Sequence, residues 1–168
     1  MKKIVVVLIA LLMLAAPALA EVKVGYVDLQ KALNLSKAGV KAKGEISAQV
    51  KKYEEEFKTK QEDLQKLKTD LEKQAVLLSD SAKEQKERDF QQSVKELQRF
   101  QKDVKEELQQ RDADATKRIL NELFDILQKL GKDGGYQMII EKNEGAVIYA
   151  DESVDLTDDL IKAFDAAQ

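Results

Sequence analysis

Two runs of heptad-spaced apolar residues, with no proline anywhere after Pro17, constrain this chain more than any other feature. From about Val40 to Leu78 one column holds Val50, Phe57, Leu64, Leu71 and Leu78, and a second holds Ile46, Tyr53 and Leu67, with Lys60 and Gln74 as its polar exceptions. After Ser81 the pattern resumes: Phe90, Leu97 and Val104 in one column, Val94, Leu108 and Ala115 in the other, with Gln101 and Arg111 as exceptions. Folding the chain between Asp80 and Ser81 sets Leu71 against Phe90, Leu67 against Val94, Leu64 against Leu97, Phe57 against Val104, Tyr53 against Leu108 and Ile46 against Ala115. The polar exceptions also meet, Lys60 with Gln101 and Gln74 with Glu87; only Val50 against Arg111 fits poorly. A continuous rod has no reason to show this coincidence, so the pattern predicts an antiparallel hairpin of two helices.

Turn chemistry agrees. Ser81-Ala82-Lys83-Glu84 reads as a capping box, placing the tip near residues 79–82. A helix from Val40 to Leu78 spans roughly 60 Å at about 1.5 Å per residue, which makes an arm rather than a compact bundle. Beyond Ala115 the apolar set widens to Ile119, Leu120, Leu123, Phe124, Ile126, Leu127 and Leu130, too broad a face for one partner helix. It predicts packing into a larger body, with Gly131 and Gly134-Gly135 stopping the helix.

That body comes from both ends of the chain. Val22 to Val27 alternates as a strand, and Asp28 caps a short helix through Leu33, with Ser36 placed to cap the next. Tyr136 to Ile140 and Ala146 to Ala150 read as two further strands, joined through Lys142-Asn143-Glu144-Gly145. Thr157-Asp158-Asp159 starts a last amphipathic helix that buries Leu160, Ile161 and Phe164. The expected fold is mainly α with a small β body: residues 21–39 and 134–168 form the body, and residues 40–133 form a coiled-coil hairpin arm. About three strands and a covering helix bury little alone, so copies are expected to pool their strands in one sheet or barrel. Val24, Tyr26, Val147 and Tyr149 are the interface candidates, with the body core as the alternative for the tyrosines and Val147.

Residues 1–20 have the anatomy of a secretory signal: Met1-Lys2-Lys3 basic, Ile4 to Ala16 apolar, and Pro17-Ala18-Leu19-Ala20 offering a cleavage site before Glu21. An exported protein is expected, an uncleaved anchor being the other reading. The chain has no cysteine and no histidine, so disulfides, thiolate chemistry and the commonest general base and metal ligand are unavailable. No serine sits in a G-x-S-x-G context and no glycine-rich phosphate loop occurs. No enzyme activity and no cofactor or metal are expected. The acids of Asp151, Glu152, Asp155, Asp158 and Asp159 lack the spacing of a calcium loop. Formal charge is −3, but residues 141–168 carry two lysines against eight acids, leaving the arm nearly neutral and without the basic stripe of a nucleic-acid binder.

Val24-Gly25-Tyr26-Val27-Asp28, Ser36-Lys37-Ala38-Gly39, Val147-Ile148-Tyr149-Ala150 and the run from Val154 to Ala163 together resemble the Skp family of periplasmic chaperones, also called OmpH-like proteins. The resemblance spans nearly the whole chain after the signal, its informative motifs lying in the body. It implies a homotrimer with a barrel-like body and three hairpin arms around a cavity. Such proteins hold unfolded outer-membrane β-barrel proteins in the periplasm, without ATP, until insertion. The best-known members are strongly basic at the arm tips, whereas this chain has a pI of 5.3, so membrane or lipopolysaccharide contact does not carry over on charge. Val76, Leu77 and Phe100 lie outside the seam columns and are client-contact candidates, scattered exposed apolar residues being the alternative. The Lys60/Gln101 and Gln74/Glu87 layers are candidates for bending of the arm. A structural spacer or tether of the cell envelope would use the same signal and coiled coil, and an exported hydrolase would need a nucleophile and base that these residues do not assemble.

Overall fold

The computed structural model describes residues 22–74, 78–143, 145 and 147–168. Its elements are β1 (Val24–Val27), α1 (Leu29–Leu35), α2 (Lys37–Gln74), α3 (Asp80–Asp133), β2 (Met138–Glu141), a 3-10 turn (Glu152–Val154) and α4 (Thr157–Ala167). The signal segment lies outside the described residues, as do Val76 and Leu77. Among the described residues no helix is long and apolar enough to cross a membrane.

α2 and α3 form the antiparallel arm, and the seam residues behave as two helices without further partners must. Val50, Tyr53, Phe57, Leu64, Leu67 and Leu71 are all half-buried, and α2 contains no fully buried residue. Facing pairs show the register. The Tyr53 ring meets Phe100 edge-to-face at 6.1 Å, the Tyr53 hydroxyl donates to Glu107 Oε2 at 2.8 Å, and Lys86 Nζ donates to Gln74 Oε1 at 2.8 Å. Exposed i,i+4 ion pairs such as Arg88–Glu84 and Lys60–Glu56 line the outer faces and add a few tenths of a kcal/mol each.

The tip departs from the sequence reading. Ser79, not Ser81, caps α3: its Oγ accepts from the Ala82 amide at 3.4 Å, and Asp80 is already helical. Capping from Ser79 places the Asp80 carboxylate in the first turn, at the positive end of the helix dipole. Ser81 is thereby helical, and Glu84 pairs with Arg88 instead of reaching back. The poorly fitting layer is also resolved. Val50 shares an apolar cleft with Val104 and Leu108, while Arg111 turns along its own helix to Glu107 at 2.7 Å.

The body is built where the arm ends. Asp28 Oδ1 accepts from the Lys31 amide and starts α1; Ser36 Oγ accepts from the Gly39 amide and starts α2. Gly131 does not stop α3; it is buried inside the helix against Ile139. The stop is a Schellman motif: Tyr136 N–H donates to Gly131 O, Gly135 N–H to Lys132 O, and Gly135 takes φ +66. Ile119 and Leu123 then pack with Val27, Leu29, Ala32, Leu160 and Phe164 into one core, with Leu120, Ile126, Leu127, Leu130 and Ile161 around it. Phe124, expected in that face, is exposed.

β1 and β2 pair in parallel, Val24 opposite Met138 and Val27 opposite Glu141, with the whole arm between them in sequence. A parallel bridge joins Tyr26 to Asp155 on the other edge of β1. Reaching that edge from β2 in the parallel sense requires a crossover of a dozen or more residues. The described residues between Glu141 and Asp155 serve that crossover, and among them the third predicted strand does not form. Val147 to Ala150 has no strand geometry, and Ala146 lies outside the described residues.

Candidate functional site

Alternation along β1 separates two surfaces. Val27 faces the helical core, and Gly25 packs so tightly that an added Cβ would lie 2.8 Å from Leu156 Cδ1. Val22, Val24 and Tyr26 lie on the other face with Ile140 of β2. The crossover arches past this face and encloses a groove of about 1040 Å³, whose far wall is Val147 to Ala150. Ile148 is 98% and Tyr149 86% exposed, and Val22 and Met138 are also exposed. The sequence-predicted residues Val24, Tyr26, Val147 and Tyr149 are thus gathered around one apolar groove. Sequence reasoning left out Val22, which is in alternation with Val24 and Tyr26, and Ile148, which stands between the two named residues of its segment.

Tyr26 anchors the groove floor. Its main-chain oxygen accepts from the Leu156 amide at 2.9 Å, and Lys142 Nζ lies 5.7 Å from its ring. Burial, with the Asp155 carboxylate beside it, raises the phenol above its ordinary pKa. For Asp155 itself, burial pushes upward, but the Thr157 hydroxyl and amide and the Tyr26 hydroxyl together outweigh it and hold the carboxyl below its usual range. The charged Asp155 thus ties the bridge beside β1 to the first turn of α4, where Thr157 Oγ1 also accepts from the Asp28 amide at 2.9 Å.

Along the arm the structure regroups the predicted residues. Phe100 is half-buried, wedged against Tyr53 with the Lys60 ammonium 5.3 Å from its ring centroid, so it belongs to the hairpin packing that its position outside the heptad columns argued against. Its signal was present: Phe100 is one helical turn before Val104 and flanks the seam. Lys60 and Gln101 are both exposed. Gln74 meets Lys86, while Glu87, one residue on, is exposed, because long polar side chains settle beside a seam rather than in it. Hydrogen bonds from Tyr53 and Arg111 hold the Glu107 carboxyl below its usual range. Among the described residues no cluster of His, Cys, Asp or Glu has the arrangement of a metal site.

Comparison with known proteins places this architecture. The family model for OmpH-like outer membrane proteins matches residues 23–164. A Skp-like protein of Pseudomonas aeruginosa is 30% identical over 161 residues, covering 93% of this chain and 92% of its own. An uncharacterised protein of Aquifex aeolicus is 28% identical over 139 residues, 83% of each chain. Among solved structures, an OmpH-like protein of Caulobacter crescentus, described as a candidate outer membrane chaperone, superposes with a TM-score of 0.82 over 91% of this chain and 88% of that one, at 20% identity.

Proposed function

The chain belongs to the OmpH-like outer membrane protein family, and from that premise we propose that it is an ATP-independent periplasmic holdase. It takes unfolded outer-membrane β-barrel proteins into a cavity between arms and keeps them from aggregating before insertion. The observation that carries this reading is the arm without a core: α2 runs for 38 residues with none fully buried. Its half-exposed apolar seam offers many weak, adaptable contacts, which suits a binder of varied clients better than one sharp pocket does. The chemistry needs no nucleotide or metal.

In this reading three copies assemble through the body, after export and removal of residues 1–20. The uncovered groove around Val24, Tyr26, Val147 and Tyr149 supports that assembly, since so much exposed aliphatic and aromatic surface on a small body marks an interaction site. The layers at Lys60, Gln101, Gln74 and Glu87 let the arm bend around clients of different size. Changing Lys60 and Gln101 together to Leu is expected to narrow spin-label distance distributions between arms; an unchanged distribution would remove them from the bending role. Contact with membranes or lipopolysaccharide forms no part of the reading.

The test is light scattering behind size exclusion, on the mature protein alone and after a urea-unfolded outer-membrane barrel protein is diluted into it. A trimer mass that gains one client, with the client held in solution, is the expected result. A trimer that leaves the client to aggregate would favour an envelope spacer, and a monomer would refute the pooled body.

A further inference from the structure

Midway along the arm, the α2–α3 seam opens into a slot of about 380 Å³ lined by Val50, Tyr53, Phe57, Phe100, Val104 and Leu108. That space is enough for one large ring and too small for a helix about 10 Å across. Tyr53 and Phe100, which meet edge-to-face at 76°, both line the slot and are only half-buried, so part of each side chain remains accessible to a third aromatic group. The lips are polar and of both signs. Glu54 and Lys105 border the slot, and neither forms an ion pair among the described residues.

We propose that this slot seats one tyrosine or tryptophan side chain of an unfolded client strand, a proposal that rests on the holdase reading above. Both side chains combine an apolar ring with one O–H or N–H donor. The ring fills the slot, its donor reaches the Glu54 carboxylate, and the Lys105 ammonium sits where a ring face attracts a cation. An aliphatic side chain would fill the space but offer neither a donor to Glu54 nor a ring face to Lys105. Transmembrane β-barrels carry girdles of aromatic residues at both membrane interfaces, so unfolded clients of this class supply such side chains at intervals along the chain. The slot selects for that feature without reading a sequence.

Because the chain contains no tryptophan, client tryptophan emission reports on the complex directly. The probe is a urea-unfolded eight-stranded outer-membrane barrel protein, paired with a version whose Trp and Tyr residues are all Leu. The unmodified client is expected to show a blue-shifted, quencher-protected emission and, by competition, to bind about tenfold more tightly than its Leu version. Val50→Phe, which fills the slot from within, is expected to erase that difference while preserving helicity and oligomer mass. Equal affinity of the two clients for the unaltered chain overturns the slot and leaves the holdase reading standing; this comparison needs no variant to fold. Retention of the full difference by a folded Val50→Phe also overturns it. An unaltered chain that holds neither client refutes the holdase reading, and the slot with it.

Discussion

Gly39 and Gly44 lie five residues apart on the same helix, yet alanine should act on them in opposite directions. At Gly44 an added Cβ meets nothing within 4 Å, so Gly44→Ala removes only the helix penalty of glycine and stabilises by about 1 kcal/mol. At Gly39 the Cβ would fall 1.7 Å from the Leu33 carbonyl oxygen and 2.9 Å from its carbon. That carbonyl is α1 backbone and cannot rotate aside, so α1 and α2 must separate. Separation strains the body by about 3 kcal/mol, at the upper end of overpacking costs. It also pulls on the Ser36 cap, whose Oγ accepts from the Gly39 amide at 3.2 Å, which adds about 1 kcal/mol. The propensity gain offsets about 1 kcal/mol, leaving Gly39→Ala destabilising by about 3 kcal/mol. The assay is urea unfolding followed by far-ultraviolet circular dichroism, at one fixed protein concentration because association adds to apparent stability. The two variants should separate by about 4 kcal/mol on opposite sides of the parent. Gly39→Ala matching or exceeding the parent would refute the close approach of α1 to the root of the arm.

Phe164→Ala, which empties the centre of the only core cluster among the described residues, should cost about 3–5 kcal/mol in the same assay, with the loss felt in the body. Ser79→Ala should weaken the start of α3 by about 1 kcal/mol and speed amide exchange at Ala82 and Lys83, whereas Ser81→Ala should leave those amides unchanged; the reverse pattern would restore Ser81 as the cap. The Glu107 carboxyl titrates below its ordinary value in the folded arm, so its contribution is present above the unfolded pKa and is lost as pH falls through the folded one. Tyr53→Phe removes the phenol hydrogen bond that holds the carboxyl low, and a carbon-detected titration should show the Glu107 midpoint rising toward the ordinary carboxylate range; an unmoved midpoint would reject the hydrogen bond.

The arm was legible because its determinants are local and periodic. Heptad columns name the seam residues whatever the register, and all of those on α2 are half-buried in the structure. Caps at Asp28 and Ser36 and the stop at Gly134-Gly135 were equally readable, each resting on contacts a few residues apart. The cap was misplaced by two residues because two serines and an aspartate offer overlapping caps, and a capping box at Ser81 competes on paper with the dipole advantage of Asp80. The contact of Phe100 with Tyr53 was not legible, because a two-helix seam has flanks, which column counting ignores.

The sequence by itself determined that the chain makes a long, proline-free helical hairpin flanked by β-rich ends, since helix periodicity and capping are properties of neighbouring residues. Only the tertiary structure decided how those ends combine. Strand direction is not encoded in alternation: Val24–Val27 and Met138–Glu141 pair in parallel across the entire arm, and nothing local distinguishes that from an antiparallel hairpin of the two C-terminal segments. Once the pairing is parallel, chain length does the rest. The residues needed to cross from β2 to the bridge at Asp155 are the ones predicted as a third strand, and the crossover carries Ile148 and Tyr149 into solvent beside the apolar groove.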